Sequence, residues 1–277
     1  MIYLNAEIVS GLGEDTFWTW FHREFPNSVF QEPTTLRDED VLLRYSTLGF
    51  LPVIGKQVAL CWELYPGMKE RFGTTIWDEK IAKVRETARY STYRTVASTL
   101  TQGDYQEFGS VEIIPIGVDT DLFRPLPDRA ALRSKYGLPQ DKRIGLWVGT
   151  GHPMKGYGLL LEYARSHPDV HWITICKTKT EAVAMPGATS FIKAPQATTC
   201  ELINAADFFL STSLLHPFFM AEWEALSCNA RMEIIGEPVK EFVPSAEPRD
   251  DVFRLGWDRR QVKSVWERFF SERGIRW

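Results

Sequence analysis

The strongest constraint on the fold is an alternation of short apolar runs with amphipathic segments, which is clearest in the second half of the sequence. The apolar runs of strand length are 143–149, 170–176, 189–194 and 207–213. The segments with a helical pattern are 155–166, 198–206 and 218–228. Strands that alternate with helices along a chain pair in parallel. The sequence therefore predicts an α/β fold with parallel sheets.

The first half shows the same alternation more weakly. Predicted strands are 1–9, 41–45, 57–62, 95–99 and 111–116, and predicted helices are 14–24 and 76–92. The stretch 117–143 carries prolines and charges and runs into a fresh strand, which is typical of a domain boundary. We therefore predict a Rossmann-like lobe over 1–117 and a second over 118–255. A helix over 256–277 has one apolar face that must dock on another element.

Composition excludes several classes of protein. Among 277 residues 44% are hydrophobic, which is enough to form cores, and the formal net charge of −4 gives no global basic field for nucleic acid or an anionic membrane. The cysteines have no CxxC spacing, which argues against zinc and against a disulfide framework. No apolar run reaches ~18 residues and the first residues do not resemble a signal peptide. We expect a cytoplasmic protein without a membrane span.

A glycine-bearing turn at 147–156, WVGTGHPMKG, is the strongest local signal for chemistry. An apolar strand leads into glycines and then Lys155 at the start of a helix. Backbone N–H groups beside a helix N-terminus, with a lysine, suit a diphosphate. The spacing is not that of a Walker loop. Taken alone, the turn fits a solvated lysine equally well.

A second signal is the segment 201–230, in which a helix and a strand lead into a loop and another helix. Loops at the carboxyl ends of parallel strands are where open α/β sheets bind ligands, so His216 and Glu224 are placed to reach one. Glu222, in contrast, is expected on a solvated helix face.

Five motifs, read together, are more specific than any one of them. They are IPIGVDTDLF (114–123), RSKYGLP (133–139), VGTGHPMKG (148–156), ELINAAD (201–207) and HPFFMAEWEALSCN (216–229). In this order and at similar separations the chain resembles the GT-B glycosyltransferases of family four. The resemblance implies two Rossmann-like lobes, a C-terminal helix that crosses back to the N-lobe, and retaining sugar transfer from a nucleotide-sugar, with a UDP- or GDP-sugar favoured. It implies no metal and no cofactor beyond that donor.

The resemblance also implies roles for single residues. Lys155 matches the basic residue that binds the donor diphosphate, and Glu224 matches the carboxylate that accepts hydrogen bonds from the ribose hydroxyls. The remaining implied donor contacts are Gly11 and Gly13 in the N-lobe turn, Gly149 and Thr150 after a strand, Lys193 near the nucleobase, and His216, Phe218 and Phe219 in the loop.

Four positions depart from the family pattern. The family's arginine is Thr150 here, so His152, if protonated, or an arginine from elsewhere must supply that charge. The first glutamate of the family's loop motif is His216, and the glycine that follows phenylalanine there is Phe219. The family's histidine and acidic residue in the N-lobe appear as Trp62 and Glu63. We take Lys155, His216 and Glu63 as the catalytic candidates.

Other interpretations remain open at this point. The departures also suit a nucleotide- or sugar-binding protein of the same fold without turnover. The acidic stretches 38–40 and 119–121 suit a metal-dependent GT-A enzyme. A dehydrogenase is excluded because GLGEDT (11–16) lacks the GxGxxG spacing.

The acceptor is expected on the N-lobe. The terminal helix carries a locally basic set that fits either a solvated helix or contact with an anionic saccharide, a lipid-linked glycan or a modified DNA base. This set consists of Arg259, Arg260, Lys263, Arg268, Arg273 and Arg276. The histidines His22, His167 and His171 are expected to be structural.

Overall fold

The structure is a computed structural model that describes residues 1–5, 13–62, 76–151, 153–176, 179–180, 185, 187–214, 220–235 and 244–277. The chain divides into two compact units. The first consists of Met1–Gly117 and Arg259–Trp277, and the second of Val118–Asp258.

The first unit is built on a parallel sheet with the strand order β2-β1-β3-β4-β5-β6. Its strands are β1 (Ile2–Asn5), β2 (Ser28–Phe30), β3 (Val41–Tyr45), β4 (Lys56–Leu60), β5 (Tyr93–Val96) and β6 (Glu112–Ile113). Its helices are α1 (Gly13–Glu24), α2 (Ile76–Tyr90), α3 (Thr99–Tyr105) and the C-terminal α9 (Arg259–Glu272).

The second unit is built on a parallel sheet with the strand order β11-β10-β7-β8-β9. Its strands are β7 (Ile144–Gly149), β8 (His171–Cys176), β9 (Thr189–Ile192), β10 (Phe208–Ser211) and β11 (Met232–Ile234). Its helices are α4 (Arg129–Lys135), α5 (Tyr157–Ser166), α6 (Gln196–Ala205), α7 (Met220–Ser227) and α8 (Pro248–Arg254). Every pairing between these strands, and between those of the first sheet, is parallel.

The predicted apolar face of α9 packs inside the first unit. Trp266 and Phe270 are fully buried. Their rings meet Phe21 of α1 edge to face, with ring centroids 5.5 and 6.3 Å apart. Aromatic side chains bury large areas, so this contact contributes much of the apolar core of the unit.

One prediction about secondary structure was wrong, and one helix was not predicted. The strand predicted over 95–99 ends at Val96, because the Ser98 side chain accepts a hydrogen bond from Thr101 N (3.3 Å) and so caps α3. The stretch 117–143, which was predicted only as a domain boundary, contains α4. Asp128 caps this helix by accepting from Ala131 N (2.9 Å).

Candidate donor site in the second unit

The chain changes direction across the second sheet between β7 and β10. After β7 it adds β8 and β9 on one side, and then β10 and β11 on the other. Ligands of open parallel sheets bind outside the carboxyl ends of the strands at such a switch point. A ligand site of this unit is therefore expected at the turn that follows β7 and at the segment that follows β10.

The turn after β7 is shaped by two glycines. At Gly149 a side chain would meet the Trp147 indole, 2.6 Å from the added Cβ. At Gly156 the backbone has φ +63° and a Cβ would lie 1.8 Å from the Thr212 carbonyl oxygen. Because only glycine fits such an approach, Gly156 presses the turn against the end of β10.

Lys155 lies in this turn, in a short 3₁₀ helix that precedes α5. Its side chain is half-buried. The buried Trp147 Nε1 donates to Thr212 Oγ1 (2.9 Å), and the Thr212 hydroxyl donates to the Lys155 carbonyl oxygen (2.6 Å). These contacts fix the lysine's backbone at the start of a helix, where the helix dipole favours anions.

Glu222 corrects one prediction. It was expected on a solvated helix face, but it is half-buried in the first turn of α7. Its Oε1 accepts hydrogen bonds from the hydroxyls of Ser211 and Ser213, the latter at 3.1 Å. Glu222, Lys155 and the segment 211–213 line one small pocket of the second unit.

Glu224 also lies on α7, in a half-buried position. The neighbouring Trp223 is fully buried and stacks on Trp257, with ring centroids 4.4 Å apart and planes 15° from parallel. This stack anchors the helix in the core of the unit. The orientation of α7, and with it the position of Glu224, is therefore fixed by packing.

The remaining candidates fall at strand ends or outside the described residues. Thr150 follows β7 directly and is half-buried, whereas Lys193 follows β9, is exposed and has φ +50°. Gly13 is the first residue of α1. The predictions for Gly11, Glu63, His152, His216, Phe218 and Phe219 lie outside the described residues, and they stay predictions.

The first sheet has its own switch point, between β1 and β3. Asn5 and Arg44 are paired in register there. The buried Arg44 guanidinium donates to the carbonyls of Leu48 and Gly49, to Asn5 Oδ1 and to Glu32 Oε1, and the Leu48 and Glu32 bonds measure 3.0 and 3.3 Å. Burial lowers the pKa of the Arg44 side chain, and Glu32 opposes that shift. The Arg44 guanidinium at this switch point therefore bonds to carbonyls and side chains of its own unit.

The acidic stretches proposed for a metal have structural partners. Asp40 is buried and accepts from Arg37 Nε (3.0 Å) and from the N-terminal amine (2.8 Å), and these partners hold the pKa of its carboxyl well below the usual range. Asp119 accepts from Leu122 N (3.0 Å). Among the residues that the structure describes, no group of three or more His, Cys, Asp or Glu could hold a metal ion.

The basic set of the terminal helix is divided in its contacts. Arg273 pairs with Glu112 and its guanidinium lies 4.0 Å from the centre of the Phe269 ring, and Arg259 is buried 5.7 Å from that of Trp20. Arg260, Arg268 and Arg276 are exposed.

No helix within the described part of the chain is long and apolar enough to cross a membrane.

Two α/β units with parallel sheets, together with a C-terminal helix in the first unit, confirm the predicted GT-B-like fold. This fold excludes the GT-A alternative.

Solved structures agree with this class of fold. Sucrose-phosphate synthase from Thermosynechococcus elongatus aligns with a TM-score of 0.70 at 13% identity, over 92% of this chain and 76% of that one. Anabaena HepE in complex with UDP-glucose aligns with a TM-score of 0.64 at 12% identity, over 99% and 95%.

Sequence similarity points to the same class. The D-inositol 3-phosphate glycosyltransferase of Segniliparus rotundus is 27% identical over 150 residues, which cover 48% of this chain and 33% of the relative. That of Mycobacterium tuberculosis is 30% identical over 133 residues, which cover 43% and 28%. The chain thus spans about a third or less of the curated relatives it matches. No protein-family model matches the sequence. The predicted resemblance to GT-B glycosyltransferases is confirmed by these relatives and by the shared fold.

Proposed function

We propose that this protein is a glycosyltransferase that moves a sugar from a nucleotide-sugar to an acceptor hydroxyl, with retention at the anomeric carbon. The observation that carries the proposal is the turn after β7. It presents Lys155 at the switch point of the second sheet, on a backbone fixed by Thr212 and by the close approach of Gly156.

The site suits the donor half of such a reaction. A departing nucleoside diphosphate carries the negative charge that develops as the bond to the sugar breaks, and a fixed cation with nearby backbone N–H groups stabilises that charge. Lys155 supplies the cation, and the backbone of 149–151 supplies N–H groups at the end of β7. Glu224 supplies a carboxylate for the ribose hydroxyls, on a helix anchored by the stack of Trp223 on Trp257.

The reaction proposed here needs no metal and no further cofactor. The bond between the anomeric carbon and the phosphate oxygen breaks with its electron pair on the diphosphate. The acceptor oxygen then bonds to the same face of the sugar, and its proton leaves on the departing phosphate. His216 and Glu63 remain the candidates for contacts with the sugar, as the resemblance implies.

The donor is proposed to be a UDP- or GDP-sugar. Similarity to HepE, solved in complex with UDP-glucose, supports UDP as the first nucleotide to test. The acceptor is proposed to be a saccharide, a lipid-linked glycan or a modified DNA base bound by the first unit. The exposed Arg260 and Arg268 of α9, and Arg276 after it, support a preference for an anionic acceptor.

A donor-hydrolysis and transfer assay tests the proposal. The full chain is incubated with UDP-glucose or GDP-mannose in the presence of EDTA, with and without a panel of sugar acceptors, and release of the free diphosphate is followed. Proton NMR of the product then reports the anomeric configuration. We expect release by the wild-type chain and little release by Lys155→Ala. Tight binding of the donors with no release under any of these conditions would instead indicate a binding protein without turnover.

A further inference from the structure

The three residues Ser211, Thr212 and Ser213 end β10 and begin the segment after it. Successive side chains of an extended chain point to opposite sides. Ser211 and Ser213 accordingly reach Glu222 on α7, and Thr212 reaches the turn after β7. This short segment is thus bonded on one side to the helix of Glu224 and on the other to Lys155.

We propose that Thr212 is a positioning residue for the transfer reaction, because its hydroxyl sets the place of Lys155. This inference rests on the proposed function of Lys155 as the group that binds the donor diphosphate. Thr212 does not touch the donor in this account. It acts through the backbone of the lysine.

The geometry at Thr212 supports a specific role for the hydroxyl. The side chain is 1% exposed, so it has no access to bulk water. Its oxygen accepts from Trp147 Nε1, which leaves its single proton for the Lys155 carbonyl. The direction of both bonds is therefore determined, and the chain of contacts runs from the core of the sheet to the lysine.

Gly156 also contacts Thr212, through its backbone. Its backbone lies so close to the Thr212 carbonyl that no Cβ fits between them. The turn thus meets Thr212 at two successive residues, through a hydrogen bond at Lys155 and through van der Waals contact at Gly156. Loss of the hydroxyl removes the hydrogen bond at Lys155 and leaves the van der Waals contact at Gly156 in place.

This difference predicts a selective defect. Without the hydroxyl, the Lys155 carbonyl and the Trp147 N–H each lose a partner, and the lysine backbone can shift while the sheet keeps its apolar core. In the proposed site the nucleoside is held through Glu224 on α7 and not through this turn. A ligand with a β-phosphate should therefore be affected, and one without it should not.

Thr212→Val tests the inference, since it keeps the shape of the side chain and removes the hydroxyl. Thr212→Ser keeps the hydroxyl and loses a methyl group. Thr174→Val is the matched control, because Thr174 is also 1% exposed in the same sheet and its hydroxyl bonds Ser190 (2.8 Å). Each full-length variant is titrated calorimetrically with UDP, GDP and ADP and with the corresponding monophosphates, and kcat and KM are measured for the donor that the wild type uses.

The expected result is that Thr212→Val weakens the diphosphate about three- to tenfold, the effect of one lost hydrogen bond, and leaves the monophosphate unchanged. We also expect kcat to fall by at least that factor. Thr212→Ser and Thr174→Val should match the wild type in both measurements.

Several results would overturn the inference. An equal loss for diphosphate and monophosphate, or the same loss in Thr212→Ser, would show that packing is responsible. If Thr212→Val does not fold, Thr212→Ala undergoes the same titrations, and failure of both to fold would assign the hydroxyl to stability alone. A wild-type chain that binds none of the three diphosphates contradicts the proposed function itself, whereas wild-type binding that Thr212→Val retains in full contradicts only the role of Thr212.

Discussion

The two sheets carry polar residues at equivalent places, but they use them differently. At the switch point of the first sheet the charged group is Arg44, and its guanidinium donates to carbonyls and side chains of its own unit. At the switch point of the second sheet the charged group is Lys155, and the hydrogen bond from Thr212 holds its backbone. The first arrangement gives the buried Arg44 guanidinium its hydrogen-bond acceptors. The second fixes the backbone from which the half-buried Lys155 side chain extends.

This contrast shows that topology alone does not define a binding site. Both switch points are places where open sheets bind ligands. At the first switch point the Arg44 guanidinium already donates within its own unit, and such buried donors are expensive to withdraw. We call the switch point at Arg44 the first edge and the switch point at Lys155 the second edge. We expect substitutions at the first edge to change stability, and substitutions at the second edge to change ligand binding and turnover.

Arg44→Ala should give the largest effect and concerns the first edge. Removing the guanidinium leaves two backbone carbonyls and Asn5 without their donor in a buried setting, which should lower the free energy of unfolding by about 3 kcal/mol. Urea unfolding measures this loss, with Arg268→Ala, at an exposed position of α9, as the control. UDP affinity of the folded variant should not change. A stable Arg44→Ala chain with lost nucleotide binding would reverse the comparison.

Lys155→Ala concerns the second edge and should lower kcat about 100-fold, the loss typical of one group that stabilises charge in the transition state. The unfolding free energy should stay close to that of the wild type. Steady-state kinetics with the accepted donor measures the effect, and Lys155→Arg, which keeps the charge, is the control. Equal losses in kcat and in ground-state affinity would show that the lysine only holds the donor.

Glu224→Ala tests the proposed contact between the Glu224 carboxylate and the ribose hydroxyls. Loss of a charge-assisted hydrogen bond to the ribose should weaken UDP by about 2 kcal/mol. The same substitution should have little effect on 2′,3′-dideoxy-UDP, which lacks the ribose hydroxyls. Calorimetric titration of both ligands into wild type and variant measures the difference. A similar loss for both ligands would place the carboxylate elsewhere.

The smallest effect is a pH dependence at His171, at the amino end of β8. Burial, and then the charge of Lys142, lower the pKa of this histidine in the folded chain. The unfolded chain therefore binds the proton first as the pH falls below the unfolded pKa of about 6.5, and the free energy of unfolding declines from there. Urea unfolding between pH 7.5 and about 5 should show a shallower decline in His171→Gln. An identical slope in both chains would show that His171 does not contribute.

The sequence predicted the class of fold because the alternation of strands and helices is a local pattern. It did not show strands as short as β2 and β11, whose three residues each carry too little periodicity. The helix α4 was not predicted because its charged residues were interpreted as part of a domain boundary. Two of those charges, Arg129 and Arg133, pair with Asp207 more than 70 positions away.

The same limit applies to the candidate site. Lys155 could be named as a candidate because a glycine turn after a strand is a local signal. Thr212 was missed because its bond to the Lys155 carbonyl joins residues 57 positions apart. The alternating residues Ser211, Thr212 and Ser213 after an apolar strand were the available signal, and only the positions of α7 and the turn after β7 showed what each of them contacts.

Hydrogen exchange of the full chain with and without saturating UDP, or with GDP or ADP, tests the central claim most directly. If the second edge binds the donor nucleotide, protection should be strongest at the amides of 149–157 and 211–227. Protection centred on the first edge, around Asn5, Glu32 and Arg44, with no change in those two segments would contradict the account.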